Sequence, residues 1–216
     1  MKKYKTLLFD MDGTIADTDP LILEAMNFLY DKYREGRRTP ESEIIYFSGP
    51  PIRDTLKKEF PDRDINFMFE EFHKKSSTLY ATHVFAYPNS KEVLLALKKD
   101  GYQLGIVTNK LHHLAEYALK CIDLDNIFEF IVGFDDVDHP KPHQEGILKA
   151  IDYFKSSKSD TLYIGDNKSD LLTANNAGVD CCLVSWGPRV LPKELNPTFK
   201  ISSYIDLKEK LYGKSL

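Results

Sequence analysis

The sequence predicts an α/β protein in which a three-layer core with a parallel sheet carries an inserted all-α helical cap. From residue 87 onward, short apolar segments alternate with helical segments, a pattern typical of the crossover units that build a parallel sheet. Between the first strand and this region the chain shows only helical periodicity, over a length far greater than one crossover helix needs. We therefore expect residues 1–15 and 87–216 to form the core and residues 16–86 to form the cap.

The individual elements follow in order from apolar periodicity and from capping residues. The first strand covers residues 4–9, and helical spacing of apolar residues continues from Asp19 to about Phe85. Ser90 is a suitable N-cap for the next helix, and Gly101 is a suitable stop at its end. The later predicted elements are strand 102–108, helix 111–121, strand 129–133, helix 144–154, strand 161–165, helix 168–177, strand 181–185, a short strand near 199–201 and a closing helix.

Composition favours a folded domain and argues against a nucleic-acid or membrane partner. Of the 216 residues, 42% are hydrophobic and 29% are charged, which is ordinary for a globular protein. The net charge of -4 leaves no basic excess to neutralise a phosphate backbone. The apolar run Thr6–Phe9 is too short for a signal peptide, and no segment reaches membrane-spanning length. We expect a cytoplasmic protein, and the sequence implies no protein partner.

The chain contains three cysteines, Cys121, Cys181 and Cys182. An odd number cannot pair completely within one chain, and none of the three lies in a Cys-x-x-Cys or Cys/His spacing. We expect free thiols in or near the core.

Two aspartates, Asp10 and Asp12, directly follow the first strand in the segment TLLFDMDGTIADTD. Residues two apart on an extended backbone point to the same face, so both carboxylates would occupy one small volume. Like charges this close raise each other's pKa unless a cation lies between them. The segment therefore indicates a bound metal, a shared proton or a solvated turn. A buried strand end is a costly place for unpaired charge, which makes the solvated turn the weakest of the three.

Polar residues also follow three later strands of the predicted sheet: Thr108, Asn109 and Lys110 after the second, Lys141 after the third, and Asp166 and Asp170 after the fourth. In open parallel sheets, ligands bind at the carboxyl ends of the strands, where residues distant in sequence meet. Taken singly, each motif has a simpler interpretation as a turn, a helix cap or a solvated loop lysine. One such motif after each strand, in strand order, favours a single site.

The predicted site is rich in carboxylate oxygen, which suits magnesium. Its four aspartates are Asp10, Asp12, Asp166 and Asp170. Magnesium prefers a few carboxylates together with waters and a substrate phosphate. A carboxylate that attacks phosphorus forms an aspartyl-phosphate, and a cation and hydrogen-bond donors must offset the negative charge of both partners. Thr108, Asn109 and Lys141 supply such donors, so the site predicts phosphoryl transfer.

The motifs DMDGT, VTNK, the lysine of HPKPHQEGI and GDNKSDLLTANNAG resemble those of the haloacid dehalogenase superfamily of aspartate-nucleophile phosphohydrolases. The resemblance spans most of the chain and implies a Rossmann-like core. It implies that Asp10 is the nucleophile and a metal ligand, and that Asp12 is the general acid/base and binds magnesium through its main-chain carbonyl. Thr108 would bind the transferring phosphoryl group, and Lys141 would stabilise nucleophile and phosphate. The other implied metal ligands are Asp166 and Asp170.

The resemblance indicates the reaction class more closely than the substrate. Dehalogenating relatives lack an aspartate at the position of Asp12, so its presence implies a phosphatase. The segments FSGPPIRDTL and VSWG are similar to the phosphoglycolate-phosphatase-like branch, and we expect a small phosphorylated metabolite as substrate. A pyrophosphatase, a 5'-nucleotidase and a sugar-phosphate mutase stay open on the same scaffold. Arg53 is the candidate for binding a second anionic group of the substrate.

Two classes of protein outside the superfamily share part of this pattern. A phosphorylation-dependent signalling module also combines acidic residues, a threonine and a lysine on a parallel sheet. Such receiver domains are shorter, lack a cap, and do not place the phosphorylated aspartate on the first strand. A dinucleotide-binding enzyme would need Gly-x-Gly-x-x-Gly after a strand, and the sequence has no such motif.

Overall fold

The core contains a six-stranded parallel sheet, seen in a computed structural model that describes residues 3–190 and 192–213. The strands of the described part are β1 (Thr6–Phe9), β2 (Ala16–Asp17), β3 (Phe85–Ala86), β4 (Gln103–Val107), β5 (Phe130–Val132), β6 (Thr161–Gly165), β7 (Asp180–Val184) and β8 (Phe199–Ile201). The large sheet has the strand order β5-β4-β1-β6-β7-β8, and all of its pairs are parallel. The predicted parallel sheet is confirmed.

Helices cover both faces of this sheet and form the segment inserted between β2 and β3. The α-helices of the described part are α1 (Asp19–Tyr33), α2 (Glu41–Ile44), α3 (Ile52–Glu59), α4 (Ile65–Ser77), α5 (Tyr80–His83), α6 (Ser90–Lys99), α7 (His112–Cys121), α8 (Glu145–Tyr153), α9 (Lys168–Ala177) and α10 (Tyr204–Leu211). Helices α1 to α5 lie in the inserted segment, and α6 to α10 belong to the core.

The two faces of the sheet are buried by different helices, because successive side chains of a strand point to opposite faces. Leu7 and Phe9 of β1 belong to a hydrophobic cluster that includes buried residues of α6, α7 and α10. Leu8 belongs to a second cluster with buried residues of α8 and α9. All three side chains are fully buried. The core therefore has the three predicted layers.

The cap has its own buried helix face, which continues into the larger cluster of the core. The buried residues of α1 are Leu21, Ile22, Ala25, Met26, Leu29 and Tyr30, at the spacing of an amphipathic helix. They share a hydrophobic cluster with Met68 and Phe72 of α4. The predicted inserted helical cap is confirmed.

The cap is joined to the core through a short antiparallel pair, β2 with β3, in which Ala16 pairs with Ala86. The expectation of a purely helical segment 16–86 is wrong at its two ends. Two-residue strands are too short to show a period of two, so the sequence gives no signal for them. Because the pair brings both ends of the insert together, we propose residues 16–86 as the cap and 1–15 with 87–216 as the core.

Helix α6 begins one residue earlier than the sequence predicts. Ser90 is the first residue of α6, and Asn89, with φ of 61°, precedes the helix, so the predicted N-cap is one residue too late. The stop after α6 is confirmed, since Gly101 has a φ of 81° in the left-handed region.

All three cysteines are free, as expected. Within residues 3–190 and 192–213, no helix has the length and apolar character needed to cross a membrane.

Candidate active site

The carboxyl ends of the central strands bring the predicted motifs together. Strand β1 lies between β4 and β6 and pairs in parallel with both. Their carboxyl ends therefore meet at one edge of the sheet, where Asp10, Thr108 and Asp166 follow the three strands. All three side chains are buried. A single site formed from separate strand ends is what the sequence pattern predicts.

Lys141 connects two of the buried carboxylates. Its Nζ lies 2.7 Å from Asp10 Oδ1 and 2.7 Å from Asp170 Oδ1, and its side chain is only 3% exposed. Nζ also donates to the hydroxyl of Tyr163 at 3.1 Å. Burial alone would lower the pKa of Lys141, but the charges of Asp10 and Asp170 outweigh burial and raise it. The ammonium group is therefore held charged beside the predicted nucleophile.

Three buried carboxylates form a cluster that can hold a cation. Asp10, Asp166 and Asp170 each offer one oxygen atom, and these atoms all lie within 4.8 Å of one another. Asp10 Oδ2 is buried and has no hydrogen-bond partner among the described residues. Buried polar atoms are normally partnered, so this free oxygen points to a missing ligand. The donor set consists of hard oxygen atoms and fits magnesium.

The pKa values of Asp10 and Asp166 reflect burial more than pairing. Burial and the charge of Asp170 raise the pKa of Asp10 to about 7, although Lys141 acts in the opposite direction. Burial likewise raises the pKa of Asp166 well above its usual range, despite the neighbouring charge of Arg189. A cation bound to such buried carboxyl groups stabilises their charged form.

The side chain of Asp12 does not belong to the carboxylate cluster of Asp10, Asp166 and Asp170. Its Oδ1 accepts hydrogen bonds from the hydroxyl of Thr18 at 2.8 Å and from Lys110 Nζ at 2.9 Å. Lys110 in turn lies 5.7 Å from the ring centre of Tyr80 in the cap. The side chain of Asp12 is therefore placed apart from the metal cluster, and its predicted metal contact, through the main-chain carbonyl, stays a prediction.

Thr108 and Asn109 take different places at the end of β4. The Thr108 amide donates to the carbonyl of Val132 at 2.9 Å, which fixes the backbone beside Asp10. The Asn109 amide group accepts from the Lys141 N–H at 3.0 Å and donates to the Lys141 carbonyl at 3.2 Å. Asn109 Nδ2 also donates to the carbonyl of Gly49 in the cap at 3.1 Å. Asn109 thus positions the loop of Lys141, and its phosphate contact stays a prediction.

Arg189 is a site residue that the sequence analysis missed. Its Nη1 donates to Asp166 Oδ2 at 2.7 Å, and its Nη2 pairs with Asp19 at the start of α1. Its Nε donates to the carbonyl of Ile45 in the cap at 2.8 Å. The VSWG segment ends two residues before Arg189. The arginine itself lies in a loop without apolar periodicity, so its partners become visible only in the fold.

Gly13, in the turn after β1, makes room for this arrangement. A β-carbon at Gly13 would lie 2.3 Å from Asp166 Oδ2 and 2.5 Å from Arg189 Nη1. Gly13 also has a φ of 80°, in the region that favours glycine. The glycine of DMDGT is therefore required both by its backbone conformation and by the close approach of the Asp166 carboxylate.

The remaining predicted site residue, Arg53, lies in helix α3 of the cap. Arg53 lines the cavity between cap and core together with Asp12 and Thr108. Its guanidinium lies 4.1 Å from the ring centre of Phe69, and its Nη1 donates to Asn66 Oδ1 at 2.8 Å. Its role in binding a second anion stays a prediction.

Asn167, to which the sequence analysis gave no role, caps helix α9. Its Oδ1 accepts from the Ser169 N–H at 3.3 Å, and its own N–H donates to Asp170 Oδ2 at 2.9 Å. The second of these bonds orients Asp170 beside Lys141. Asn167 therefore supports the site through the helix that carries one of its carboxylates.

A capped α/β core with buried carboxylates and a buried lysine at its strand ends defines a class of capped α/β hydrolases. The sequence model of the haloacid dehalogenase-like hydrolase family matches residues 7–184. The chain belongs to this family. The predicted superfamily and class of enzyme are confirmed.

Individual relatives agree with this assignment. The pyrophosphatase PpaX of Anoxybacillus flavithermus is 35% identical over 181 residues, which cover 84% of this chain and 83% of that protein. The pyrophosphatase PpaX of Bacillus mycoides is 34% identical, with 85% of each chain covered. A haloacid dehalogenase-like hydrolase from Bacteroides fragilis has 27% identity and a TM-score of 0.87, over 95% of this chain and 100% of that one. A Haemophilus somnus protein named "predicted phosphoglycolate phosphatase" shares the fold at 22% identity, with a TM-score of 0.85 and both chains fully covered (100% each).

Proposed function

We propose that this enzyme is a magnesium-dependent phosphatase that hydrolyses a small phosphate monoester through an aspartyl-phosphate on Asp10. The observation that supports it best is the buried Asp10 carboxylate, with Oδ1 bound by Lys141 at 2.7 Å and Oδ2 free of any partner among the described residues. Lys141 orients the carboxylate through Oδ1, which keeps a lone pair for attack on phosphorus, and Oδ2 is left for the metal. A small-molecule substrate and a cytoplasmic location are parts of this proposal.

In the first step, Asp10 attacks the phosphorus atom of the substrate. A bond forms between its carboxylate oxygen and phosphorus, and the bond between phosphorus and the leaving oxygen breaks. The electron pair of that bond goes to the leaving oxygen, which takes a proton from the carboxyl group of Asp12. Lys141 and Thr108 stabilise the negative charge that the phosphoryl oxygens carry.

In the second step, water releases the phosphate. Asp12, now a carboxylate, accepts a proton from the water molecule whose oxygen bonds to phosphorus. The bond between phosphorus and Asp10 breaks, and its electrons restore the Asp10 carboxylate. The contact of Asp12 with Thr18, at 2.8 Å, holds the carboxylate in place between the two steps.

We expect the metal to bind the carboxylate cluster of Asp10, Asp166 and Asp170, whose oxygen atoms lie within 4.8 Å of one another. Asp10 and Asp166 would ligate it directly, Asp12 through its main-chain carbonyl, and Asp170 would complete the site. When bound, magnesium offsets the charge of the nucleophile and the phosphoryl group and so lowers the barrier to their approach. Phosphoglycolate, which the sequence suggests, and pyrophosphate, which the names of two relatives suggest, are the first substrates to compare. Formation of an isomer from a hexose 1-phosphate would indicate a mutase instead.

Activity is expected to depend on magnesium. Turnover of a generic aryl phosphate should vanish with a chelator and return when magnesium is added, because three buried carboxylates and a phosphate cannot otherwise approach one another. Calcium should not restore turnover, since its larger and looser coordination misplaces nucleophile and phosphate. Full activity in the presence of the chelator would contradict the proposal.

Magnesium should also stabilise the fold more at about pH 8 than at about pH 5.5. Burial raises the pKa of Asp10 to about 7, above the unfolded value of 3.8. The metal-free fold therefore loses stability as the pH rises from about 3.8 to about 7, because in this range the folded chain binds more protons than the unfolded chain does. Bound magnesium compensates for this loss. The measurement is the unfolding midpoint with and without magnesium at both pH values, and an equal shift at both would contradict it.

A further inference from the structure

A cavity of about 230 Å³ lies between the cap and the core, next to the catalytic residues. Asp12 and Thr108 both line it, so the cavity begins where Asp12 would protonate the leaving oxygen. The cap is closed over the site, since Asn109 Nδ2 donates to the carbonyl of Gly49 at 3.1 Å. The cavity is therefore the space available to the part of the substrate that leaves.

Most of the cavity wall is apolar. The apolar side chains from the cap are Leu21, Ile22, Phe47, Ile52, Phe69 and Phe72. An anion placed among such side chains loses its hydration and gains no partner in return, which is costly. Binding of an uncharged apolar group is favourable, because its apolar surface is transferred from water to an apolar wall. The wall therefore discriminates against a charged leaving group.

The cations near the cavity do not change this balance. Lys110 Nζ lies 2.9 Å from Asp12 Oδ1, so a charged leaving group would have to compete with Asp12 for this lysine. Arg53 is exposed, with its guanidinium 4.1 Å from the ring centre of Phe69. Among the described residues that line the cavity, Lys110, Arg53 and His73 can carry a positive charge. Lys110 is bound by Asp12, and Arg53 and His73 are not buried. A leaving group with its own charge thus lacks an uncontested buried partner.

The size of the cavity limits the leaving group. An apolar cavity of about 150 Å³ is enough to bind benzene. The cavity here, at about 230 Å³, has room for a substituted six-membered ring. Ser48 lines the cavity and is buried, and its hydroxyl has no hydrogen-bond partner among the described residues. One polar substituent on the ring could therefore be satisfied.

We propose that the substrates of this enzyme are phosphate monoesters whose leaving group is uncharged, mainly apolar and about the size of a substituted six-membered ring. This inference rests on the proposed phosphatase function and names the substrate class for the same site. Pyrophosphate and phosphoglycolate have small, charged leaving groups and fall outside this class.

A series of alkyl phosphates tests the proposal directly. Methyl, isobutyl and benzyl phosphate are compared with phosphoglycolate and pyrophosphate in the presence of magnesium. We expect kcat/KM to rise from methyl to isobutyl to benzyl phosphate, by about fourfold for each buried methylene. Phosphoglycolate, which matches isobutyl phosphate in size and branching but carries a charge, should be slower than isobutyl phosphate. An equal or faster rate for phosphoglycolate or pyrophosphate would overturn the proposal.

Two phenylalanines of helix α4 provide a matched pair of variants. Phe69 lines the cavity, whereas Phe67 is 44% exposed and does not line it. Phe69→Ala should reduce the ratio of kcat/KM for benzyl over methyl phosphate about tenfold, and Phe67→Ala should leave the ratio unchanged. A wild-type ratio in Phe69→Ala, or an equal decrease in both variants, would count against the cavity as the site of the leaving group.

A binding measurement separates this proposal from the phosphatase function itself. Phenethylphosphonate and 3-phosphonopropionate replace the bridging oxygen of benzyl phosphate and phosphoglycolate with a methylene, so neither can be hydrolysed. Calorimetry in magnesium should show tighter binding of phenethylphosphonate, and tighter binding of 3-phosphonopropionate would overturn the proposal. Failure to hydrolyse any phosphate ester, including an aryl phosphate, would instead contradict the phosphatase function.

Discussion

Replacing Asp10 with asparagine should lower turnover to background with every phosphate ester, a loss of at least about 10⁴-fold. The amide cannot form the bond to phosphorus. It also removes the negative charge that Lys141 contacts at 2.7 Å. The measurement is kcat/KM for an aryl phosphate, whose good leaving group gives other routes their best chance to appear.

The matched control is Asp152→Asn, which makes the same chemical change at an exposed carboxylate of helix α8. This variant should keep wild-type turnover. Asp10→Asn should also retain a cooperative unfolding transition, because Lys141 keeps its pair with Asp170 at 2.7 Å. Substantial turnover by folded Asp10→Asn would show that another group attacks phosphorus.

Replacing Lys141 with methionine is expected to remove activity and to destabilise the metal-free protein. The ammonium group lies 2.7 Å from each of two buried carboxylates, Asp10 and Asp170. Removing one partner of a buried ion pair leaves the other charge uncompensated, at a cost of about 3–5 kcal/mol. The free energy of unfolding, measured by urea denaturation with a chelator present, should fall by about this amount.

Lys155→Met is the control for this prediction. Lys155 pairs with Asp152 at 3.0 Å, but both side chains are exposed, 78% and 84% respectively. Exposed pairs contribute about 0–1 kcal/mol, so this variant should unfold almost as the wild type does. Equal losses of stability in the two lysine variants would mean that Lys141 does not compensate buried charge.

The predicted core and its site follow from signals that are local in the sequence. Each polar motif stands directly after an apolar strand, and a parallel sheet places all such ends at one edge. The motifs around Asp10, Thr108 and Asp166 could therefore be placed in one site without knowledge of the strand order. The helical cap was equally visible, since the buried residues of helix α1 keep a three- and four-residue spacing.

The features that the sequence did not reveal depend on contacts between distant segments. Arg189 binds Asp166, 23 residues away, and Asp19, 170 residues away, and no periodic pattern precedes it. Lys110 was visible in the VTNK motif, but its pairing with Asp12 requires the two strand ends to be adjacent. The β2–β3 pair is formed by two residues from each side and leaves no pattern that a sequence can display.

The central claim is that Asp10 carries the phosphoryl group during turnover. Asp12→Asn is the variant in which this species should accumulate, because an aryl leaving group needs little protonation while the attacking water still needs a base. The variant is exposed to an aryl phosphate with magnesium, quenched in acid and analysed by mass spectrometry of the protein and of its peptides. We expect one added phosphoryl group, located on Asp10. A phosphoryl group on any other residue, or the same adduct in Asp10→Asn, would contradict the account.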